Sequence, residues 1–220
     1  MSEEMPIWRQ AIKDDQHPLH RAAWQLFSKD FDARRAGAAL EAQKEDVVGF
    51  CTLLLDSREL YPEGALGGGN APVNAVELLC EWKVDAVLPR LLKILDEESW
   101  ETIIYGTTAD TIEAFGTAVV EPLLEMATRK TGDQEQVAIA GTLADAAPGD
   151  PRTVAFVRKL FDSRKQDFEI NYMAENVLAG DPEGGVKWLQ DRLRTHKYSR
   201  EVRQRIERYI ADAKVGKYKT

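Results

Sequence analysis

Three histidines, two cysteines, one glycine run and a surplus of carboxylates are the residues of this 220-residue chain whose types could do chemistry. His17 and His20 stand three apart near a helix start, a spacing that puts both on one face. With Asp14 or Asp15 they would make a minimal metal set. Solvated polar residues at a helix N-terminus explain them better, and His196 stands alone. Leu66-Gly67-Gly68-Gly69-Asn70 is glycine-rich like a phosphate cradle, but it lacks the Lys-Ser/Thr of a P-loop and follows no strand pattern. It reads as a flexible loop. Neither Gly-x-Ser-x-Gly nor Cys-x-x-Cys occurs. Asp96-Glu97-Glu98 reads as solvated charge between helices, with nothing to split the pKa values of two carboxyls into acid and base. No catalytic residue, cofactor or bound metal is therefore expected.

Bulk properties narrow the class. Hydrophobic residues make up 44% and charged residues 30%, a globular balance. No apolar run approaches the roughly 18 residues that span a bilayer. Met1-Ser2-Glu3-Glu4-Met5-Pro6 is acidic and has no apolar stretch, unlike a secretory leader. Cys51 and Cys80 each sit inside an apolar helical pattern, so both read as small core residues in a reducing cytoplasm. The net charge is −8, unevenly spread. Residues 187–220 hold eleven Lys or Arg against four Asp or Glu, a local +7, and the rest carries −15. An acidic body disfavours general nucleic-acid binding, which depends on neutralising phosphates.

The elements that would position these residues are all helical. Residues 1–16 read as a loosely held polar tail. Pro18 opens a helix with Ala22, Ala23, Leu26 and Phe27 inward, and Asp32 is an N-cap for the next, with Ala33, Ala36, Ala39 and Leu40. A helix over 45–56 follows, then an irregular, glycine-rich stretch over 57–71. Further helices are expected from Pro72, from Asp85, from a Ser99 cap, from a Thr117 cap, from an approximate capping box at Asp133 and Gln136, and from Asp150-Pro151 and Asp181-Pro182. Gly106 is a candidate bend. Residues 199–213 space Val202, Ile206, Tyr209 and Ala213 on one stripe and cover the opposite face with charge, as a terminal cap helix must. No period-2 strand pattern occurs.

Internal repetition organises the chain. Val84-Asp85-Ala86-Val87-Leu88-Pro89-Arg90-Leu91-Leu92 is echoed by Thr117-Ala118-Val119-Val120-Glu121-Pro122-Leu123-Leu124-Glu125, with the prolines 33 residues apart. The stretch ending at Asp162 overlays the one ending at Asp96 at twice that shift. A period of this length is the mark of a stacked repeat array. Val84, Ala86, Val87, Pro89, Leu91 and Leu92, and again Val119, Val120, Pro122, Leu123 and Leu124, resemble bacterial HEAT-like repeats of the kind also found in phycobilisome lyases. The resemblance is closest over 71–127 and weaker over 133–194. Where many such repeats carry Asp followed by Val-Arg, this chain has Trp100-Glu101-Thr102. It implies an all-α fold, a right-handed α-solenoid (armadillo-like α-α superhelix) of four to five helical hairpins. The array would be one domain over 1–220, with a C-terminal cap helix.

Function is read from what such an array exposes. The second helices offer Arg90, Lys93, Arg158 and Lys159 beside Glu121 and Glu125, a mixed-charge row on the expected concave face. That mixture is not the electropositive channel of a HEAT-like DNA glycosylase. Trp188 lies roughly 120° off the stripe of Val186, Leu189 and Leu193 at about 100° per residue, either an exposed anchor or a ring packed under the cap helix. The leading expectation is a non-enzymatic protein-binding scaffold or adaptor using Arg90, Lys93, Glu121, Glu125, Arg158, Lys159 and Trp188. A lyase-like or hydrolytic enzyme in the concave groove is one alternative. A nucleic-acid or membrane-surface binder acting through the basic end is another. The basic end could equally meet another copy's acidic body head to tail.

Overall fold

The computed structural model describes residues 5–217 and, among them, contains helices and turns but no strand. No helix among the described residues is long and apolar enough to cross a membrane. The chain forms two compact units, Met1–Ala114 and Phe115–Thr220.

Unit 1 holds α1 (Ile7–Lys13), α2 (His20–Leu26), α3 (Ala33–Leu40), α4 (Lys44–Asp56), α5 (Asn70–Glu81), α6 (Leu88–Glu97) and α7 (Ile103–Thr111). α5 is central, packing against α2, α3, α4 and α7. Its Ala75, Val76, Leu78 and Leu79 are fully buried, as are Val47, Cys51 and Leu54 of α4. This is the 3.6-residue apolar periodicity realised as a core. Residues 1–4 of the expected tail lie outside the described residues. The remainder corrects that expectation, because α1 buries Trp8 and Ala11 and stacks the Trp8 ring on Phe27 at 6.1 Å. Two apolar side chains in a short polar segment were enough to anchor it.

Unit 2 holds α8 (Val120–Arg129), α9 (Asp133–Ala146), α10 (Pro151–Ser163), α11 (Asp167–Gly180), α12 (Gly185–Thr195) and α13 (Arg200–Lys214). Each helix packs on its neighbour in sequence, and α11 also packs between α9 and α13. The apolar core runs from Ala140 through Val157, Phe161, Met173, Val177 and Leu189 to Ile206 and Ile210. α13 contributes Val202, Ile206, Tyr209 and Ile210, so the expected cap helix over 199–213 forms and covers that core.

The helix starts obey and break the cap expectations in instructive ways. Asp32 accepts from Arg35 N, Asp150 from Arg152 N with Pro151 at the first turn, and Ser199 from Val202 N. Thr102, not Ser99, caps α7, and Ser99 instead anchors the preceding turn by accepting from Glu101 N. Trp100 and Ile103, which flank this cap, are 42% and 73% exposed. Asp133 and Gln136 make no capping box; both side chains turn to Arg164. Asp181-Pro182 does not open α12, which starts at Gly185 after a turn in which Asp181 accepts from Gly184 N. Gly106 sits inside α7. The break falls at Gly116, whose φ of 55° and ψ of −134° are accessible to glycine.

The 57–71 stretch is built rather than loose. A turn of 3₁₀ helix covers Arg58–Leu60, and Leu60 is buried. Gly67, Gly68 and Gly69 all have positive φ, and Asn70 Nδ2 donates to Gly67 O at 2.6 Å. Buried Asn74 donates to the carbonyls of Leu26 and Ser28, both at 2.8 Å, tying the end of α2 to α5.

Candidate functional site

In unit 1 the C-terminal end of α4 and the exposed side of α6 bring charged residues together. Arg90 grips Asp56 with two bonds, Nε to Oδ1 at 3.1 Å and Nη2 to Oδ2 at 2.7 Å. Arg58 bonds Glu97 at 2.6 Å and pairs with Glu98, and its guanidinium lies 4.8 Å from the Tyr61 ring centre. Lys93 faces Glu97 one turn along the helix at 3.6 Å. Tyr61 donates its hydroxyl to Leu55 O at 2.7 Å. The Arg90 guanidinium holds the Asp56 carboxyl below the usual carboxylate range, while burial pushes the Tyr61 hydroxyl up. These residues line a hollow of about 250 Å³. Each acid in this network is matched to a base, which favours fixed positions over proton transfer.

Unit 2 carries the other five residues singled out from the sequence. Trp188 is half-buried. Its ring meets Phe161 edge-on at 5.2 Å and lies between Arg192, 4.4 Å from its centre, and Arg158 at 5.5 Å. Both arginines are held by acids, Arg192 by Asp162 at 2.6 and 2.7 Å and Arg158 by Asp181. Trp188 is thus partly buried, packed against the core to which α13 contributes, with a cation from α10 and one from α12 beside its ring. Tyr198 also stands edge-on to Phe161, and His196 stacks on Tyr198. Glu121 of α8 pairs with Arg152 at 3.3 Å. Arg152 also folds back on Asp150, and together with the backbone N–H it draws that carboxyl down to about 2. Glu125 and Lys159 are exposed.

The structure therefore joins Arg158 with Trp188, and Arg90 with Lys93, each pair within its own unit. The residues that sequence reasoning missed are the acids and arginines that hold them. Several such bonds reach back about thirty residues: Arg90 to Asp56 spans 34 residues, Arg152 to Glu121 31, Arg164 to Asp133 31, Arg192 to Asp162 30, and Ser199 to Asp167 32. In these the acid comes first, whereas Arg58 reaches forward to Glu97 and Arg158 forward to Asp181. Screening the sequence for Asp or Glu followed by Arg 30–34 residues on would have found the four arginine pairs of the first kind but not Asp181.

The other chemistry-bearing residues serve the fold. His17 Nδ1 accepts from Leu19 N at 3.1 Å, and His20 Nδ1 lies 2.9 Å from Ala11 O. Among the described residues no three His, Cys, Asp or Glu side chains cluster as a metal set. Cys51 and Cys80 are free and buried, and burial pushes the Cys80 thiol up to about 11 and the Cys51 thiol higher still. Comparison with protein-family models, with curated proteins and with solved structures finds no match for this chain.

Proposed function

We propose that the chain is a HEAT-like α-solenoid that acts as a protein-interaction scaffold, binding a partner protein along the exposed face of its second helices. The observation that carries this reading is the Trp188 clamp. A half-exposed tryptophan is held between two arginines that are themselves fixed by Asp162 and Asp181. Trp and Arg are the residue types that most often dominate binding energy. Side chains already ordered by ion pairs lose less freedom on association. Lys159 and Glu125 would supply mixed-charge surroundings within unit 2, exposed on α10 and α8, and Arg90 and Lys93 would present the same chemistry on α6 of unit 1. The spacing of 30–31 residues in the acid–arginine bonds supports the repeat-array reading, in which each would tie one hairpin to the next. The basic end supports a nucleic-acid or membrane role less well, because Arg192, Arg194, Arg203 and Lys217 are each paired with an acid.

Affinity purification with the full chain as bait tests the proposal. Trp188→Ala should weaken capture of the partner by about tenfold or more. Lys159→Glu, at an exposed position, should weaken it without altering the melting temperature. If both variants retain the same partners at the same yield, the second-helix face is not the binding surface.

A further inference from the structure

Where the repeat breaks in unit 1, the chain builds a groove of about 310 Å³ between the glycine run and the start of α7. Its floor is apolar, from Val73, Ile103, Ile104 and the Tyr61 ring. Its rim carries Glu63, Glu98 and Glu101, and no basic side chain lines it. Glu98 is engaged by Arg58; among the described residues Glu63 and Glu101 have no cationic partner. Ile103 is 73% exposed, and Trp100, next to Glu101, and Leu66, two residues before Gly68, are 42% and 52% exposed. The wall is rigid. A Cβ at Gly69 would stand 2.9 Å from Tyr61 O, and one at Gly67 would stand 2.8 Å from the Phe27 ring. Three successive positive-φ glycines thus hold the groove open in a form other residues reach only with strain.

The chain also contains a segment of complementary character. Lys214-Val215-Gly216-Lys217-Tyr218-Lys219 alternates cations with apolar side chains. Val215 is 83% exposed; Tyr218 and Lys219 lie outside the described residues. Residues 1–114 carry eleven basic against twenty-one acidic side chains, a net of −10, so the groove sits in a strongly acidic field.

We propose that this acidic-rimmed groove receives the 214–219 segment of a second copy of the chain. Val215 occupies the apolar floor, Lys214 faces Glu63 and Glu101, and Lys217 exchanges its intrachain partner Asp212 for the same rim. Groove and segment are different surfaces, so the contact is heterologous and can propagate from copy to copy. It does not involve the second-helix face and stands or falls apart from the scaffold reading.

Sedimentation velocity on the full chain over a range of concentrations tests this. Wild type should associate with rising concentration at low salt, and association should fade at roughly 0.5 M salt as the charges are screened. Glu63→Lys with Glu101→Lys should remain monomeric, as should Lys214→Glu with Lys217→Glu. Mixing these two variants should restore a complex, because the reversed groove then meets a reversed segment. Val215→Ser should weaken association about tenfold, the effect of exposing one valine. Circular dichroism verifies that each variant is folded. A wild-type chain that is monomeric at every concentration overturns the proposal. So does association that survives both reversals, or a mixture of the two variants that stays unassociated.

Discussion

Asp150 does two things with one carboxylate. It caps α10 through the backbone N–H of Arg152, and it anchors the Arg152 side chain that reaches Glu121. Its folded pKa of about 2 lies below the ordinary value of about 3.9, so it contributes stability that is present above about pH 4 and lost as pH falls through about 2. Asp150→Ala should therefore cost about 1 kcal/mol at neutral pH. The deficit relative to wild type should shrink steadily in urea titrations between pH 4 and 2. A deficit independent of pH would mean that packing, not the charged cap, is what the substitution removes. Asp150 was legible in the sequence because Asp-Pro is a local signal, read within three residues. The role of Asp162, which holds Arg192 against Trp188, was not. It depends on a side chain 30 residues away, and no local propensity encodes that.

At the scale of elements, the glycine inside α7 and the one just after it pull in opposite directions. Gly106 lies inside α7 with open space where a Cβ would be, so Gly106→Ala should stabilise by up to about 1 kcal/mol through helix propensity. Gly116 has a φ of 55°, and the nearest atom to an added Cβ is Ala146 O at 3.9 Å, so Gly116→Ala meets backbone strain rather than a clash. Its cost should be roughly 1–3 kcal/mol. Opposite shifts of the two melting temperatures would locate the break at Gly116; equal destabilisation would contradict it. The sequence reading placed the bend at Gly106 because a lone glycine in an apolar run carries no sign of its φ. Helix existence was legible from the 3.6-residue spacing beyond α1, as in Val47, Cys51, Leu54 and Leu55, while α1 has too few apolar residues to show a period. The starts went astray where a distant partner competed for the cap. Arg164 claimed Asp133 and Gln136, and Arg158 shares Asp181 with the turn before α12.

At the scale of the molecule, unit 2 needs its last helix. α13 buries Val202, Ile206, Tyr209 and Ile210 against α11 and α12. Removing 199–217 would expose that surface at a cost of several kcal/mol, a large share of the 5–15 kcal/mol that typically holds a domain folded. The truncated chain should bind a hydrophobic dye strongly and lose helical circular dichroism from unit 2, while unit 1 keeps its own. A cooperative transition unchanged by the truncation would show that α13 decorates unit 2 rather than completing it. The surface of the first unit was less legible than its core. Trp100 and Ile103 are large apolar residues three apart, a spacing that suits a buried helix face, yet both are exposed around the Thr102 cap.

The bonds that reach back one repeat also bear on how the molecule comes into being. Loop-closure entropy rises only with the logarithm of loop length, and spans of 30–34 residues keep every such search short. In these bonds the arginine leaves the ribosome after its acid, as Arg90 follows Asp56 and Arg192 follows Asp162. A growing chain can thus lock each new hairpin onto the one already made. By the time residue 114 has emerged, every helix of unit 1 has its packing partners within reach, and the chain need not wait for its C-terminal half before it begins to fold.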